Sequence, residues 1–162
     1  MFHRLGIASC LLLLAGCSAS SRVAGTGGGT GSGPVPAEPY LYNYTAFDAG
    51  GSAVVAGEMD LTWSAGSGGS VVVSGTWSTR RVGGTGDVGP QVGAGHVVGS
   101  LGLAGKLTLD LNPGWGDNNV ILNANADSLG SDLQGSWLLE TFVGPIPGGT
   151  FSLLRRVEPA GR

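Results

Sequence analysis

His96 is the single histidine beyond the first sixteen residues, and it sits between Gly95 and Val97. Base or nucleophile chemistry would need a second group beside it, either a hydroxyl or thiol to activate or a carboxylate to hold the imidazole. The chain has no Gly-x-Ser-x-Gly turn, and both cysteines, Cys10 and Cys17, lie in the first seventeen residues. A zinc site needs three or four ligands, which a lone histidine does not supply. Carboxylates and amides gather in the segment Asn112-Pro-Gly-Trp-Gly-Asp-Asn-Asn119 and again at Asp127 and Asp132 around Gly130. Their oxygens suit Ca²⁺, yet the spacing departs from the EF-hand loop, and Asp and Asn in turns commonly bond their own backbone. Gly84-Thr-Gly-Asp-Val-Gly89 satisfies G-x-G-x-x-G. A dinucleotide site needs that motif between a strand and a helix; here Pro90 and further glycine follow, so the segment reads as a flexible loop. The chemistry expected is therefore non-enzymatic, without cofactor or metal.

The elements that carry these residues are short and alternating. Glycine supplies 32 of 162 residues and charged residues only 12%, which favours strands and turns over helices. Strands are expected near 40–47, 53–64, 70–80, 95–103, 105–111, 119–126, 132–142 and 149–156. Gly57, Met59, Leu61 and Trp63 share one face of their strand, opposite Glu58, Asp60 and Thr62. Leu107, Leu109 and Leu111 likewise oppose Lys106, Thr108 and Asp110. One dry and one wet face per strand, repeated about eight times, predicts an all-β fold: a small antiparallel up-and-down β-barrel over residues 39–157, with a tail at 158–162. Charges on the wet face would be costly in a bilayer, so the barrel is expected to be soluble with its apolar face inside. A unit of Gly, any residue, then a large apolar residue recurs at Gly57, Gly75, Gly105, Gly135 and Gly149. Inner glycines give a strand room to coil, or let a neighbouring ring lie on bare backbone. The inner-face residues Met59, Leu61, Trp63, Trp77, Leu109, Leu122, Trp137 and Phe151 are the candidates to line a cavity for a small apolar ligand.

Ahead of the barrel, Arg4 precedes an apolar run from Leu5 to Gly16. As a helix these residues would span about 18 Å, short of the roughly 30 Å hydrocarbon core. They read as a secretory signal. Its end, Leu14-Ala15-Gly16-Cys17, resembles the lipobox of bacterial lipoprotein precursors. The resemblance implies cleavage after Gly16, removing 1–16, and a thioether-linked diacylglycerol on Cys17, a lipid attachment that partners the protein with a membrane. Two or three acyl chains would make that anchor durable, since one chain alone binds only marginally. Ser18, where the enterobacterial sorting rule places Asp for inner-membrane retention, implies the outer membrane, with the domain facing the periplasm. Residues 17–38 then form the lipidated cysteine and a Gly/Ser/Pro tether too poor in apolar residues to order itself. Removing 1–16 takes away Arg4 and leaves seven Lys and Arg against eleven Asp and Glu, a net charge of −4. That balance excludes nucleic acid as an expected partner.

Gly75-Thr76-Trp77, Gly135-Ser136-Trp137 and Arg155, which shares parity with Phe151 and Leu153, are similar to features of the calycin group of small β-barrels. There an Arg or Lys near the last strand packs across the Trp, so the resemblance implies a barrel-closing role for Arg155. The Gly-x-Trp units here are not in the first strand, and the lipocalin cysteines are missing. Trp115, flanked by Gly114 and Gly116, lacks local core neighbours. It is expected to pack on the barrel rim, the alternatives being to fold over a barrel mouth, to touch an envelope protein together with the loop 82–95, or to dip into the membrane interface below the lipid anchor. The expected roles are thus binding of a small apolar ligand, envelope structure, or interaction within an envelope complex.

Overall fold

A computed structural model describes residues 39–126 and 130–157. Eight strands follow in chain order: β1 (Tyr40–Asp48), β2 (Ala53–Ala65), β3 (Val71–Arg81), β4 (Gly93–Leu101), β5 (Lys106–Asp110), β6 (Asn118–Asn125), β7 (Leu133–Thr141) and β8 (Gly144–Arg155). Each pairs antiparallel with the next, and β8 returns to β1, closing an up-and-down barrel. The expected fold is the observed one. The last strand starts earlier than expected, at Gly144 instead of 149. The added residues include Pro145 and Pro147, which β8 accommodates beside a register shift between Trp137 and Leu138. A proline that cannot donate to the ladder is tolerated at such an irregularity.

The alternation translates directly into burial. Met59, Leu61, Leu107, Leu109, Leu111 and Leu122 are fully buried, while Glu58, Asp60 and Lys106 face outward. Register sets large side chains opposite glycines: Trp77 faces Gly95, Leu61 faces Gly75, Leu109 faces Gly99 and Phe151 faces Gly135. A Cβ on Gly95 would stand 2.8 Å from the Trp77 ring, and one on Gly148 would overlap the ring of Trp137. Small-against-large pairing of this kind lets a narrow barrel hold bulky indoles inside. Gly105, grouped by sequence with the inner glycines, lies instead in the turn before β5 at φ +73°. The inner position on β4 is held by Gly99, whose missing side chain makes room for Thr108 and Leu109 of β5.

Both barrel ends are furnished. At the end where the chain enters β1, the Arg155 guanidinium lies 4.7 Å above the centre of the Tyr40 ring. It donates to the Gly130 carbonyl at 3.0 Å, and the Arg155 backbone N–H donates to Asp132 Oδ1 at 2.8 Å. The ring beneath Arg155 is thus Tyr40, at the start of β1, and not the tryptophan that the resemblance implied. At the other end, the segment 82–92 turns into the mouth. Val88 and Gln91 are buried, the Tyr44 hydroxyl donates to Gln91 Oε1 at 2.6 Å, and Gln91 Nε2 donates to the Val88 carbonyl at 2.8 Å. Thr79 and Asn112 donate to the Gln91 and Pro90 carbonyls. The Gly84–Gly89 segment therefore belongs to a docked plug and not to the loose loop that its composition suggested.

Burial pushes the phenol pKa of Tyr44 well above its ordinary value, and burial also raises that of Tyr42, with Arg155 pulling the other way. In the unfolded chain both phenols ionise near pH 10. Because the folded state holds these protons longer, their stabilisation is complete below about pH 10 and is lost as pH rises above it. In an alkaline titration, phenolate absorbance from these two residues should appear together with loss of the barrel's circular dichroism. Ionisation of both in an intact barrel would contradict this account.

Candidate functional site

The eight candidate cavity residues all point inward, but they pack as core. The walls of a ligand-sized cavity would carry surface that a water molecule could touch. Met59, Leu61, Leu109 and Leu122 carry none, Trp77, Trp137 and Phe151 keep at most 4%, and Trp63 keeps 7%. The polar edges of two rings are spent on the scaffold: Trp77 Nε1 donates to the Leu111 and His96 carbonyls, and Trp137 Nε1 donates to that of Phe47. These eight side chains thus leave almost no water-accessible surface between them. Inner glycines created space, and neighbouring rings occupy it.

Concavities occur outside instead. One of about 430 Å³ runs beside Glu58, Asp60, Thr76 and His96, and one of about 340 Å³ lies over Lys106, Asn123 and Gly135. Both are open grooves on the outer face. His96 pairs with Thr76, which pairs with Asp60, so the histidine and that carboxylate sit two strands apart on an exposed surface. Among the described residues, the His96 side chain has no hydrogen bond or ion pair to a carboxylate, and no group of three metal-ligating His, Cys, Asp or Glu side chains is assembled. Asp110 spends its carboxylate within its own loop, while the Asn112 side chain is committed to the Pro90 carbonyl of the plug. Asp110 accepts from the Asn112 backbone N–H at 2.9 Å and from Asn119 Nδ2 at 3.1 Å. Asp127 and Cys17 lie outside the described residues.

The most unusual surface is at the plugged end. The β5–β6 connection is built on Asp110, whose bonds to Asn112 and Asn119 tie its two arms together. Within it the Trp115 N–H donates to the Asn112 carbonyl at 3.1 Å, which presents the indole at the tip. Trp115 is 67% exposed, so it does not pack down on the rim. A hollow of about 180 Å³ beside it is lined by His96, Asn112, Pro113 and Gly114. The adjoining β7–β8 hairpin turns over only two residues, Phe142 and Val143, which are 89% and 91% exposed. Thr141 Oγ1 donates to the Gly144 carbonyl at 2.7 Å and pins this turn. Because Asn118 pairs with Thr141 across β6 and β7, the two loops are neighbours.

Sequence reasoning singled out Trp115 and missed its companions. Phe142 stood as the last residue of the strand expected over 132–142, and Val143 followed it. The available signal was Gly144-Pro145 immediately after them, a turn mark that leaves a bulky apolar pair at a hairpin tip. The 82–95 loop contributes less to this surface than expected, since Val88 and Gln91 are inside. No family model matches the chain, and no curated protein or solved structure matches it either.

Proposed function

We propose that the chain is a lipid-anchored protein of the bacterial envelope whose barrel is a non-enzymatic module for contact with another envelope component. The observation that carries this reading is the contrast between a filled, plugged interior and the exposed Trp115, Phe142 and Val143 at one end. A barrel without internal space works through its outside. The anchor is supported by Leu14-Ala15-Gly16-Cys17 at the end of an apolar run, and by the Gly/Ser/Pro-rich segment that separates it from β1. Ser18 in place of Asp supports an outer-membrane site facing the periplasm. The contact role is supported by topology. The β5–β6 and β7–β8 connections that carry the apolar residues lie together at the barrel end opposite the start of β1.

Expression in a bacterial host with radiolabelled palmitate tests the anchor. The wild-type chain should take up label and sediment with membranes, while Cys17→Ser should lose the label completely, because only a thiol forms the thioether. Undiminished label in Cys17→Ser would sink the assignment.

A further inference from the structure

The exposed rim has a chemical bias that narrows what can bind it. From Leu107 to Leu154 the sequence contains no Lys or Arg, while Asp110, Asp117 and Glu140 stand at the strand ends and loops of the apolar rim. This stretch supplies β6, β7 and nearly all of β5 and β8, including both loops that carry the apolar tips. Asp117 closes the Trp115 loop, and Glu140 pairs with Asn119 just below the Phe142 turn. Cations at the same end, Arg80 and Arg81, belong to β3, on another part of the circumference, and the Arg81 guanidinium already donates to the Gly84 and Gly86 carbonyls. The surface is thus an apolar centre with carboxylates around it and no positive charge of its own.

We propose that Trp115, Phe142 and Val143 dock an envelope protein through an apolar patch flanked by Lys or Arg. The proposal rests on reading the barrel as an interaction module. Bulky aromatic side chains held on short, pinned loops are good anchors, because little motion is lost when they are buried. A carboxylate border then selects a cationic partner and speeds its approach. The same border disfavours two other occupants. Anionic lipid headgroups would be repelled by Asp117 and Glu140. A second copy, meeting rim to rim about a two-fold axis, would set these carboxylates against themselves.

The test uses the full chain reconstituted in vesicles of zwitterionic phosphatidylcholine, with binding to protein-free vesicles subtracted because a basic amphipathic helix adsorbs to lipid on its own. Its probe is an amphipathic helical peptide with leucines on one face and lysines on the other. The control probe has every lysine replaced by glutamate. The lysine peptide should bind, more weakly at high salt, and the glutamate peptide should not. Trp115→Ser with Phe142→Ser should weaken binding at least about tenfold, as should Asp117→Lys with Glu140→Lys, which leaves the apolar tips intact and so decides the matter if the first pair folds poorly. Absence of binding, equal binding of both peptides, or binding untouched by either pair overturns the proposal. Quenching of Trp115 fluorescence by brominated lipid would assign the rim to the bilayer instead, and rim-dependent dimerisation would assign it to a second copy. Either result also overturns the proposal. Failure of the Cys17 anchor shows as loss of lipid label and leaves these peptide measurements interpretable.

Discussion

Gly75→Ala should cost more than about 3 kcal/mol, beyond the usual range for an overpacked side chain. The added methyl would overlap the Asp60 carbonyl oxygen and stand 2.9 Å from the Asp60 carbonyl carbon and 3.2 Å from Leu61 Cα. All three atoms are backbone of β2, so no rotamer change relieves the clash and the strand itself has to move. Gly57, Gly99 and Gly135 meet the backbones of Ser78, Thr108 and Asn123 in the same way. These are the places where strands coil sharply enough to close so small a barrel. Gly86→Ala and Gly114→Ala are the matched controls, since nothing lies within 4 Å of either added methyl; they should stay within about 0.5 kcal/mol of wild type. Urea unfolding of the three variants measures the contrast. A Gly75→Ala variant as stable as Gly114→Ala would mean that close strand approach is not what the glycine provides.

The second large effect is expected at Trp77. Strands β4 and β5 pair over only four positions, Val98 to Leu101 against Asp110 to Leu107. Just beyond the last pair, Trp77 Nε1 donates to the Leu111 carbonyl at 2.7 Å and to that of His96 at 3.1 Å. The indole from β3 thus bridges the two strands where their own ladder has run out. Trp77→Ala should cost about 3–5 kcal/mol, as other buried aromatic truncations do. Trp77→Phe keeps most of the ring and loses the donor, leaving buried carbonyls short of a partner at about 1–3 kcal/mol. In the Phe variant, amide exchange should quicken first at Val98–Leu101 and Leu107–Asp110, ahead of β1 and β2. Uniform acceleration around the barrel would show that the ring, and not the N–H, holds this seam.

The strands were legible because the chemistry that writes them is local. Met59, Leu61 and Trp63 alternate with charged or polar neighbours, and any register that buries one buries all three. The inner glycines were legible in kind but not always in place. A Gly-x-apolar pattern picks out Gly105, whereas Gly99 matters because Thr108 and Leu109 of another strand approach it, and no local pattern records that approach. The same limit hid the plug. Val88 is a single apolar residue in a glycine-rich segment, and its burial depends on Leu139 and Val120 lying under Gly89. The candidate site divides in the same way. Trp115 stood out because its loop offers it no neighbours, while Phe142 and Val143 were disguised by a strand that turns one residue sooner than their hydrophobicity implies.

The β1–β8 seam has a consequence for how the chain becomes a protein. Seven of the eight strand pairings join consecutive strands, so each hairpin can form as its residues become available. The eighth joins Tyr42–Asp48 to Gly149–Arg155 across nearly the whole domain. Until β8 arrives, β1 and β7 each present an open edge, the state most prone to pairing with other chains. Closure is also the step with the greatest loop-closure cost. Folding of this barrel is therefore gated by its last twelve-residue strand. A chain synthesised from its N-terminus cannot lock shut behind its leading end, and it becomes edgeless only once its final strand is complete.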